Sequence, residues 1–195
     1  MIRSFVGAPL PAAYQDLLEK IAGARGRSLR SKLAWTRKGS WHLTLKFLGE
    51  RPQSEVDEIR RALAGVDFAP FDVKAGGVGF FPPLARQGKR GPRVLWVGLS
   101  KGREETIALA GKIERVLAPL GIEPEARPFS PHLTLARVKR AESDDWAGLA
   151  GELERIEFPG FRLDRFVLWR STLTPRGPVY SKLAEFPARG CGPAA

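Results

Sequence analysis

The only two histidines of this 195-residue chain occur in two copies of one tetrapeptide. His42 opens the word His-Leu-Thr-Leu at 42–45, and His132 opens the same word at 132–135. Side chains alternate along a β-strand, so each copy directs its histidine and threonine to one face and its two leucines to the other. Each strand therefore offers an imidazole and a hydroxyl on its polar face.

If the two strands face each other, His42, Thr44, His132 and Thr134 converge on one cleft. A neutral imidazole can accept a proton from an attacking water, and an imidazolium can protonate a leaving oxygen, because the pKa of histidine lies near neutrality. The hydroxyls can donate hydrogen bonds to phosphate oxygens as negative charge builds on them. We predict these four residues to be the catalytic residues of a phosphoryl-transfer site.

Other kinds of site fit the sequence less well. Two histidines without an accompanying carboxylate or thiolate pattern are a poor metal ligand set, and the single cysteine, Cys191, is isolated, so we predict no metal and no cofactor. The serine-nucleophile motif GxSxG is absent. The segment "GGVGF" at 76–80 does not match a phosphate-binding loop and is interpreted as a bulged strand.

Positive charge dominates the chain. Lys and Arg outnumber Asp and Glu by 32 to 21, a formal net charge of +11. This excess favours a polyanionic partner, with nucleic acid ahead of a membrane surface, although genome bias or thermal adaptation gives the same composition. A single cysteine, no apolar signal segment and no run long enough to span a membrane predict a cytoplasmic protein.

The basic residues cluster beside both histidine words. The sequence from Gly23 to Gly49 has seven basic residues and no acidic one. Further basic clusters occupy 86–93 and follow the second word at 137–140. This arrangement would hold a phosphodiester backbone near the cleft, and on this ground we predict that Lys46 and Arg90 contact the substrate.

Strands and helices alternate along the chain. We predict strands at 2–10, 41–49, 71–83, 93–100, 132–138, 161–173 and 179–186. We predict helices at 11–26, 51–66, 104–121 and 143–156, the last capped by Ser143 or Asp144. Five tryptophans could stack on bases; we expect Trp96 and Trp169 in the core and Trp35 and Trp41 nearer the surface.

The two histidine words stand 90 residues apart, each in a strand that is followed by a helix. This spacing predicts an internal duplication. We expect a single α+β domain over residues 1–195, with antiparallel sheets and internal pseudo-twofold symmetry. We expect the tail at 187–195 to be disordered.

At these motifs the chain resembles the bacterial and archaeal RNA 2′,3′-cyclic phosphodiesterases, formerly called 2′-5′ RNA ligases, of the two-histidine phosphoesterase superfamily. "HLTLKFLGE" (42–50) and "HLTLARV" (132–138) match the His-x-Thr-x word of that superfamily. "SFVGAPLP", "PRVLWVGL" and "GPVYSKLAEF" extend the similarity over nearly the whole chain.

The resemblance implies a bilobal α+β fold, with one word per lobe, two antiparallel sheets forming a central cleft, and helices on the outside. It also implies metal-independent hydrolysis of a terminal 2′,3′-cyclic phosphate of RNA to a 2′-phosphate. It implies that His42 is the general acid at O3′, that His132 is the general base for water, and that both threonines hold phosphate oxygens. It also implies ATP-independent joining of tRNA halves through 2′-5′ linkages, which is the same transfer with a ribose hydroxyl in place of water.

The resemblance adds Arg137 and Phe47 as substrate-binding residues, each five positions after a histidine. Simple alternation puts both side chains on the face opposite the histidines, so these two assignments require a twist or a bulge in each strand. Two other functions remain open: an endoribonuclease that makes cyclic phosphates, and a non-catalytic RNA-binding module. We expect a monomer whose partner is RNA with a cyclic phosphate end, tRNA fragments included.

Overall fold

The computed structural model describes residues 1–26, 29–86, 91–175 and 177–189. The described residues form nine strands: β1 (Ile2–Pro9), β2 (Lys32–Trp35), β3 (His42–Arg51), β4 (Phe71–Phe81), β5 (Val94–Lys101), β6 (Leu133–Arg140), β7 (Gly160–Leu163), β8 (Arg165–Thr174) and β9 (Gly177–Pro187). They also form four α-helices: α1 (Ala12–Arg25), α2 (Gln53–Leu63), α3 (Arg103–Leu117) and α4 (Trp146–Glu154). Single 3-10 turns occur at Leu84–Arg86 and Ala118–Leu120.

The strands make two antiparallel sheets, which confirms the expected α+β fold. The first sheet has the order β3-β1-β8-β9, and the second has the order β2-β6-β5-β4-β7. In the first sheet β3 pairs with β1, and in the second β6 pairs with β5. Each histidine word therefore pairs with the strand that precedes a helix in its own half of the chain, and the predicted α+β duplication is confirmed.

The helices cover the sheet faces that point away from the histidines. α3 packs on β3 and on α2, and α4 packs on β4. Leu43, Leu45, Leu133 and Leu135, the leucines of the two words, are 0–2% exposed and belong to the continuous apolar core under these helices. Burying them fixes the register of each strand, because a slip of one residue would expose them.

Two strands were not predicted. The segment 161–173, interpreted as one strand, is divided at Asp164 into β7 of the second sheet and β8 of the first. The short strand β2 pairs with β6 and closes the edge of the second sheet. Both are four residues long, too short to show a clear alternation.

Two other expectations need correction. The cap of α4 is Asp145, whose carboxylate accepts a hydrogen bond from the Gly148 N–H at 2.8 Å, whereas Asp144 accepts from the backbone of residues 30 and 31. Disorder is wrong for 187–189: β9 includes Pro187, Ala188 N–H donates to the Asp164 carbonyl, and Arg189 N–H donates to the Phe68 carbonyl. Residues 190–195 lie outside the described part of the chain.

Candidate active site

The two histidines have the same local hydrogen bond. Nδ1 of His42 lies 2.8 Å from the Ser40 carbonyl oxygen, and Nδ1 of His132 lies 2.8 Å from the Ser130 carbonyl oxygen. A carbonyl oxygen only accepts, so Nδ1 carries the proton in each ring. In the neutral imidazole the lone pair then resides on Nε2, which is left to face a ligand.

A β-bulge occurs at the last residue of each histidine word. In the first sheet Val6 pairs with Lys46 while its neighbour Gly7 pairs with Thr44, so Leu45 is skipped. In the second sheet Trp96 pairs with Thr134 while its neighbour Leu95 pairs with Ala136, so Leu135 is skipped in the same way. An extra residue in one strand reverses the alternation that follows it.

The bulges return Phe47 and Arg137 to the histidine face. Phe5 lies under both His42 and Phe47, with ring centroids 4.4 and 6.4 Å away, so these side chains share one face of the first sheet. Arg137 is exposed, and its charge acts on His132, the residue immediately before β6. Placing Phe47 and Arg137 on the histidine face requires a twist or a bulge in each strand, and a bulge is present in both.

Aromatic rings pack around each imidazole. His42 stacks obliquely on Phe5, and Tyr180 of β9 meets it edge-on at a centroid distance of 5.1 Å. Phe81 meets His132 edge-on at 5.1 Å, and Trp96 lies 6.0 Å from it. These contacts limit rotation of both rings and place each imidazole in a mostly apolar setting.

Gly79 makes room for the aromatic wall beside His132. A Cβ atom at Gly79 would lie 2.2 Å from the Trp96 indole, closer than nonbonded atoms approach. Trp96 therefore lies flat over β4, where it also contacts Phe81 at a centroid distance of 5.1 Å. The glycine-bearing segment 76–80 is bulged, as predicted, with its pairing to β5 shifted on both sides of Ala75.

Charged groups of the second sheet affect the pKa values of groups on the first sheet across the cleft. Charge on His132 lowers the pKa of His42, although the two residues belong to different sheets. Burial raises the pKa of the Tyr180 phenol, and the charge of Arg137 on the facing sheet opposes that rise. The cleft thus brings together both imidazoles, Tyr180 and Arg137.

Both imidazoles have a depressed pKa. Burial, helped by the charge of His132, lowers the pKa of His42 to about 4. Burial also lowers the pKa of His132, and the charge of Arg137 acts in the same direction. Both pKa values lie below the usual 6.5, so both rings are neutral at pH 7 before a ligand binds.

The threonine hydroxyls have unused hydrogen-bonding capacity. Thr44 and Thr134 are half-buried, one residue beyond the leucine that follows each histidine. Within the described ranges neither side-chain hydroxyl has a hydrogen-bond partner; the Thr36 hydroxyl donates only to the backbone carbonyl of Thr134, at 3.0 Å. Both hydroxyls are therefore available as donors to an oxyanion.

Lys46 does not line the cleft, which corrects its predicted contact with substrate. The bulge turns its side chain to the helix side of β3, where the residue is 3% exposed. Its ammonium donates to the Glu114 carboxylate at 2.8 Å and to the Glu123 carbonyl at 2.7 Å, and Glu125 lies 3.9 Å away. The Lys46 ammonium is therefore already paired with acceptors on the helix side of the strand, away from the cleft. Arg90, the other basic residue predicted to bind substrate, lies outside the described residues.

The model of the family described as LigT-like phosphoesterase matches this chain over residues 8–94 and 97–180, with one histidine word in each segment. Together these segments cover most of the chain. The chain belongs to the LigT-like phosphoesterase family.

Individual relatives of this LigT-like phosphoesterase agree with the family match. It is 31% identical over 189 residues to an Aquifex aeolicus protein named RNA 2′,3′-cyclic phosphodiesterase, covering 95% of this chain and 97% of that one. It is 35% identical over 154 residues to a protein of the same name from Aeropyrum pernix, covering 78% of this chain and 85% of that one.

Solved structures match the fold over nearly its full length. A Thermus thermophilus protein, 29% identical, superimposes with a TM-score of 0.75 and covers 98% of this chain and 100% of that one. Escherichia coli LigT in complex with 3′-AMP, 22% identical, gives a TM-score of 0.73 over 96% of this chain and 98% of that one. The two-sheet α+β fold is thus that of LigT-like phosphoesterases.

The expected placements are wrong for Trp41, Trp96 and Trp169, whereas Trp35 is half-buried. Trp41 is 4% exposed and belongs to the core, whereas Trp96 and Trp169 are half-buried beside the two histidines. Tyr180 was not predicted as a site residue, although it stands within the "GPVYSKLAEF" segment that resembles the family. Tyr180 pairs with Ser171, two residues from Trp169, so the side chains of Tyr180 and Trp169 lie on the same face of the first sheet. The place of Tyr180 beside His42 also depends on the strand order β3-β1-β8-β9, which a hairpin pattern does not reveal.

No group of three or more His, Cys, Asp or Glu residues in the described ranges is arranged to hold a metal ion. No helix in the same ranges is both long and apolar enough to cross a membrane.

Proposed function

We propose that this LigT-like phosphoesterase hydrolyses the 2′,3′-cyclic phosphate at the end of an RNA to a 2′-phosphate, without a metal ion. One observation carries the proposal: two imidazoles from separate sheets interact across one cleft, each with Nδ1 bonded to a carbonyl and Nε2 left for a ligand. The names of the relatives from Aquifex and Aeropyrum support the choice of substrate.

His132 acts as the general base. A water molecule attacks phosphorus while its proton passes to Nε2 of the neutral His132 imidazole. The depressed pKa of His132 keeps that nitrogen unprotonated at neutral pH, and the Ser130 carbonyl fixes the ring by accepting from Nδ1. The new bond joins the water oxygen to phosphorus.

His42 acts as the general acid on the other side. The bond between phosphorus and O3′ breaks, and Nε2 of the His42 imidazolium delivers a proton to O3′, which leaves the phosphate on O2′. Burial, the first cause of the low pKa of His42, also makes its imidazolium a strong proton donor. The phosphodiester anion favours the charged ring when it binds, so substrate binding takes up a proton.

The remaining residues hold the substrate. The hydroxyls of Thr44 and Thr134 and the Arg137 guanidinium stabilise the non-bridging oxygens as charge accumulates. Phe47, 60% exposed on the histidine face, offers its ring to the terminal nucleoside. The net charge of +11 attracts the rest of the RNA.

An RNA hydroxyl can replace the water in the same geometry. Attack by a ribose 5′-hydroxyl activated by His132 would join two RNA ends through a 2′-5′ linkage without ATP, and tRNA fragments are the proposed substrates. The exchange forms one P–O bond and breaks one, so it needs no further reactant. We propose that the protein acts as a cytoplasmic monomer.

Three RNAs test the function. Purified protein in EDTA is given a short RNA with a 2′,3′-cyclic phosphate end, a long unstructured RNA with a 3′-hydroxyl end, and both short RNA and a 5′-hydroxyl acceptor. We expect the short RNA to gain a 2′-phosphate. Shortening of the long RNA would instead establish an endoribonuclease, and tight binding without any product would establish a non-catalytic RNA-binding module.

A further inference from the structure

A cavity of about 360 Å³ opens beside His42, at the end of the first sheet and the start of α1. Its lining includes Trp169, Tyr180, Trp41 and Ala12. None of the assigned phosphate and nucleoside contacts lies there, because Thr44 and Phe47 follow His42 along β3 in the other direction. The site described above therefore leaves this space without a ligand.

Phe47 does not line the cavity, although its ring is near His42. Phe5 contacts both rings, with centroids 4.4 Å from His42 and 6.4 Å from Phe47, and Thr44 is also absent from the cavity walls. A base enclosed by the cavity walls is therefore not the base that stacks on Phe47. A substrate that contacts Phe47 with its terminal base fills the cavity with another part of the RNA.

The walls of the cavity suit an aromatic heterocycle. The Trp169 indole N–H donates to the Gly7 carbonyl at 3.3 Å, which fixes the plane of that ring, and Phe5 stacks beneath it at a centroid distance of 6.5 Å. The side chain of Gln15 closes the far wall, since its amide donates to the Trp41 carbonyl and accepts from Gly39 N–H. Rigid π faces bind any of the four bases by stacking.

The location of the cavity beside His42 indicates which RNA strand supplies the base that occupies it. In the proposed function His42 protonates the departing O3′, while the attacking water or hydroxyl comes from the His132 side. His42 lines the cavity and His132 does not. The occupant consequently belongs to the strand that carries the cyclic phosphate and not to an incoming strand.

We propose that this cavity is the subsite for the nucleobase of the penultimate nucleotide of the RNA. The inference rests on the proposed function and deepens it, because it makes a dinucleotide end, and not a terminal nucleotide alone, the recognised substrate. It predicts that the protein discriminates RNA ends from free cyclic mononucleotides through stacking in addition to backbone charge.

Three substrates test the subsite with wild-type protein: a nucleoside 2′,3′-cyclic phosphate, a dinucleotide with a 2′,3′-cyclic phosphate end, and the same dinucleotide lacking its penultimate base. We expect KM for the intact dinucleotide to be about 5- to 100-fold lower than for the abasic one, the range that base–aromatic stacking supports. Equal KM values for the two dinucleotides would overturn the proposal.

A matched pair of variants locates the effect. Ala12→Phe fills the cavity, whereas Ala13→Phe adds the same ring at the next exposed residue, which does not line it. We expect Ala12→Phe to reduce the ratio of the abasic to the intact KM to near one and Ala13→Phe to preserve it. An unchanged ratio in a folded Ala12→Phe protein would overturn the proposal; if that variant does not fold, the wild-type comparison decides.

Turnover of the cyclic mononucleotide distinguishes a failure of the proposed function from a failure of the penultimate-base subsite. If wild-type protein hydrolyses none of the three substrates, the proposed function is wrong. If it hydrolyses the mononucleotide and both dinucleotides with the same KM, the function stands and the penultimate-base subsite is wrong.

Discussion

Tyr180 meets His42 edge-on, with ring centroids 5.1 Å apart and ring planes at 89°. The two residues lie on the opposite edge strands of the first sheet, β9 and β3, and their rings meet above β1 through Phe5, which contacts both. This contact buries the imidazole from which the proposed reaction takes its proton. The pKa of His42 should therefore depend on Tyr180.

Replacing Tyr180 tests that dependence. Burial is the main cause of the low pKa of His42, so Tyr180→Ala, which admits water to the ring, should raise that pKa from about 4 toward 6.5. Tyr180→Phe keeps the edge contact and should leave the pKa close to its wild-type value. Titration of the imidazole NMR signals measures both, because the chain has only two histidines to assign. A pKa near 4 in Tyr180→Ala would show that Tyr180 does not bury the ring.

The pH dependence of kcat/KM follows from the two depressed pKa values. The reaction needs one proton shared between His42 and His132 in the free enzyme, and both pKa values lie below 6.5. The singly protonated fraction therefore decreases about tenfold per pH unit above the higher pKa. We expect kcat/KM for a cyclic mononucleotide to reach its maximum in mildly acidic solution and to fall steadily through pH 7 and 8. A flat plateau from pH 6 to 8 would contradict this assignment of charge.

Arg137 faces the cleft and Lys46 does not, so replacing each residue should affect the salt dependence of KM differently. Arg137 is exposed on the histidine face, whereas the Lys46 ammonium is buried against Glu114. Arg137→Gln should raise KM and reduce the slope of log KM against log salt by about one, as expected when one phosphate contact is lost. Lys46→Met should keep the wild-type slope.

The same two variants should also differ in stability, with Lys46→Met more destabilised than Arg137→Gln. Lys46→Met leaves the Glu114 carboxylate and the Glu123 carbonyl without their buried donor and should lower the free energy of unfolding by about 1–3 kcal/mol. Arg137→Gln, at an exposed position, should change it by less than about 0.5 kcal/mol. Urea denaturation measures both. A reduced salt slope in Lys46→Met with unchanged stability would restore Lys46 as a substrate contact.

The repeated word predicts more of this molecule than any other feature of the sequence. Strand alternation assigns the leucines of both words to the core and the histidines and threonines to the other face, and the burial of Leu43 and Leu133 agrees with it. Duplication then predicts two pseudo-symmetric halves. Both inferences depend only on local period and on repetition, which can be read from one sequence, whereas the division into two sheets is what the family resemblance implies.

The residues beyond each word were harder to predict because a bulge changes the period. Up to Leu45 alternation holds, but Lys46 is turned to the helix side and Phe47 to the cleft. Nothing in "LTLKF" marks the skipped residue, since the bulge depends on pairing with β1 and on the acceptors that Glu114 and Glu123 offer to Lys46. Tyr180 was missed for a related reason: its place beside His42 is set by strand order, which the sequence alone does not show.

Substituting sulfur for the leaving O3′ tests the division of labour between the two histidines most directly, because a thiolate departs without a proton. With the ordinary 2′,3′-cyclic phosphate, His42→Ala and His132→Ala should each lose about 100- to 10,000-fold in kcat. With the sulfur analogue, His42→Ala should recover to within about tenfold of wild type, whereas His132→Ala should remain as impaired as before. Recovery of His132→Ala instead, or equal impairment of both variants on both substrates, would contradict acid and base roles on opposite sides of one phosphorus.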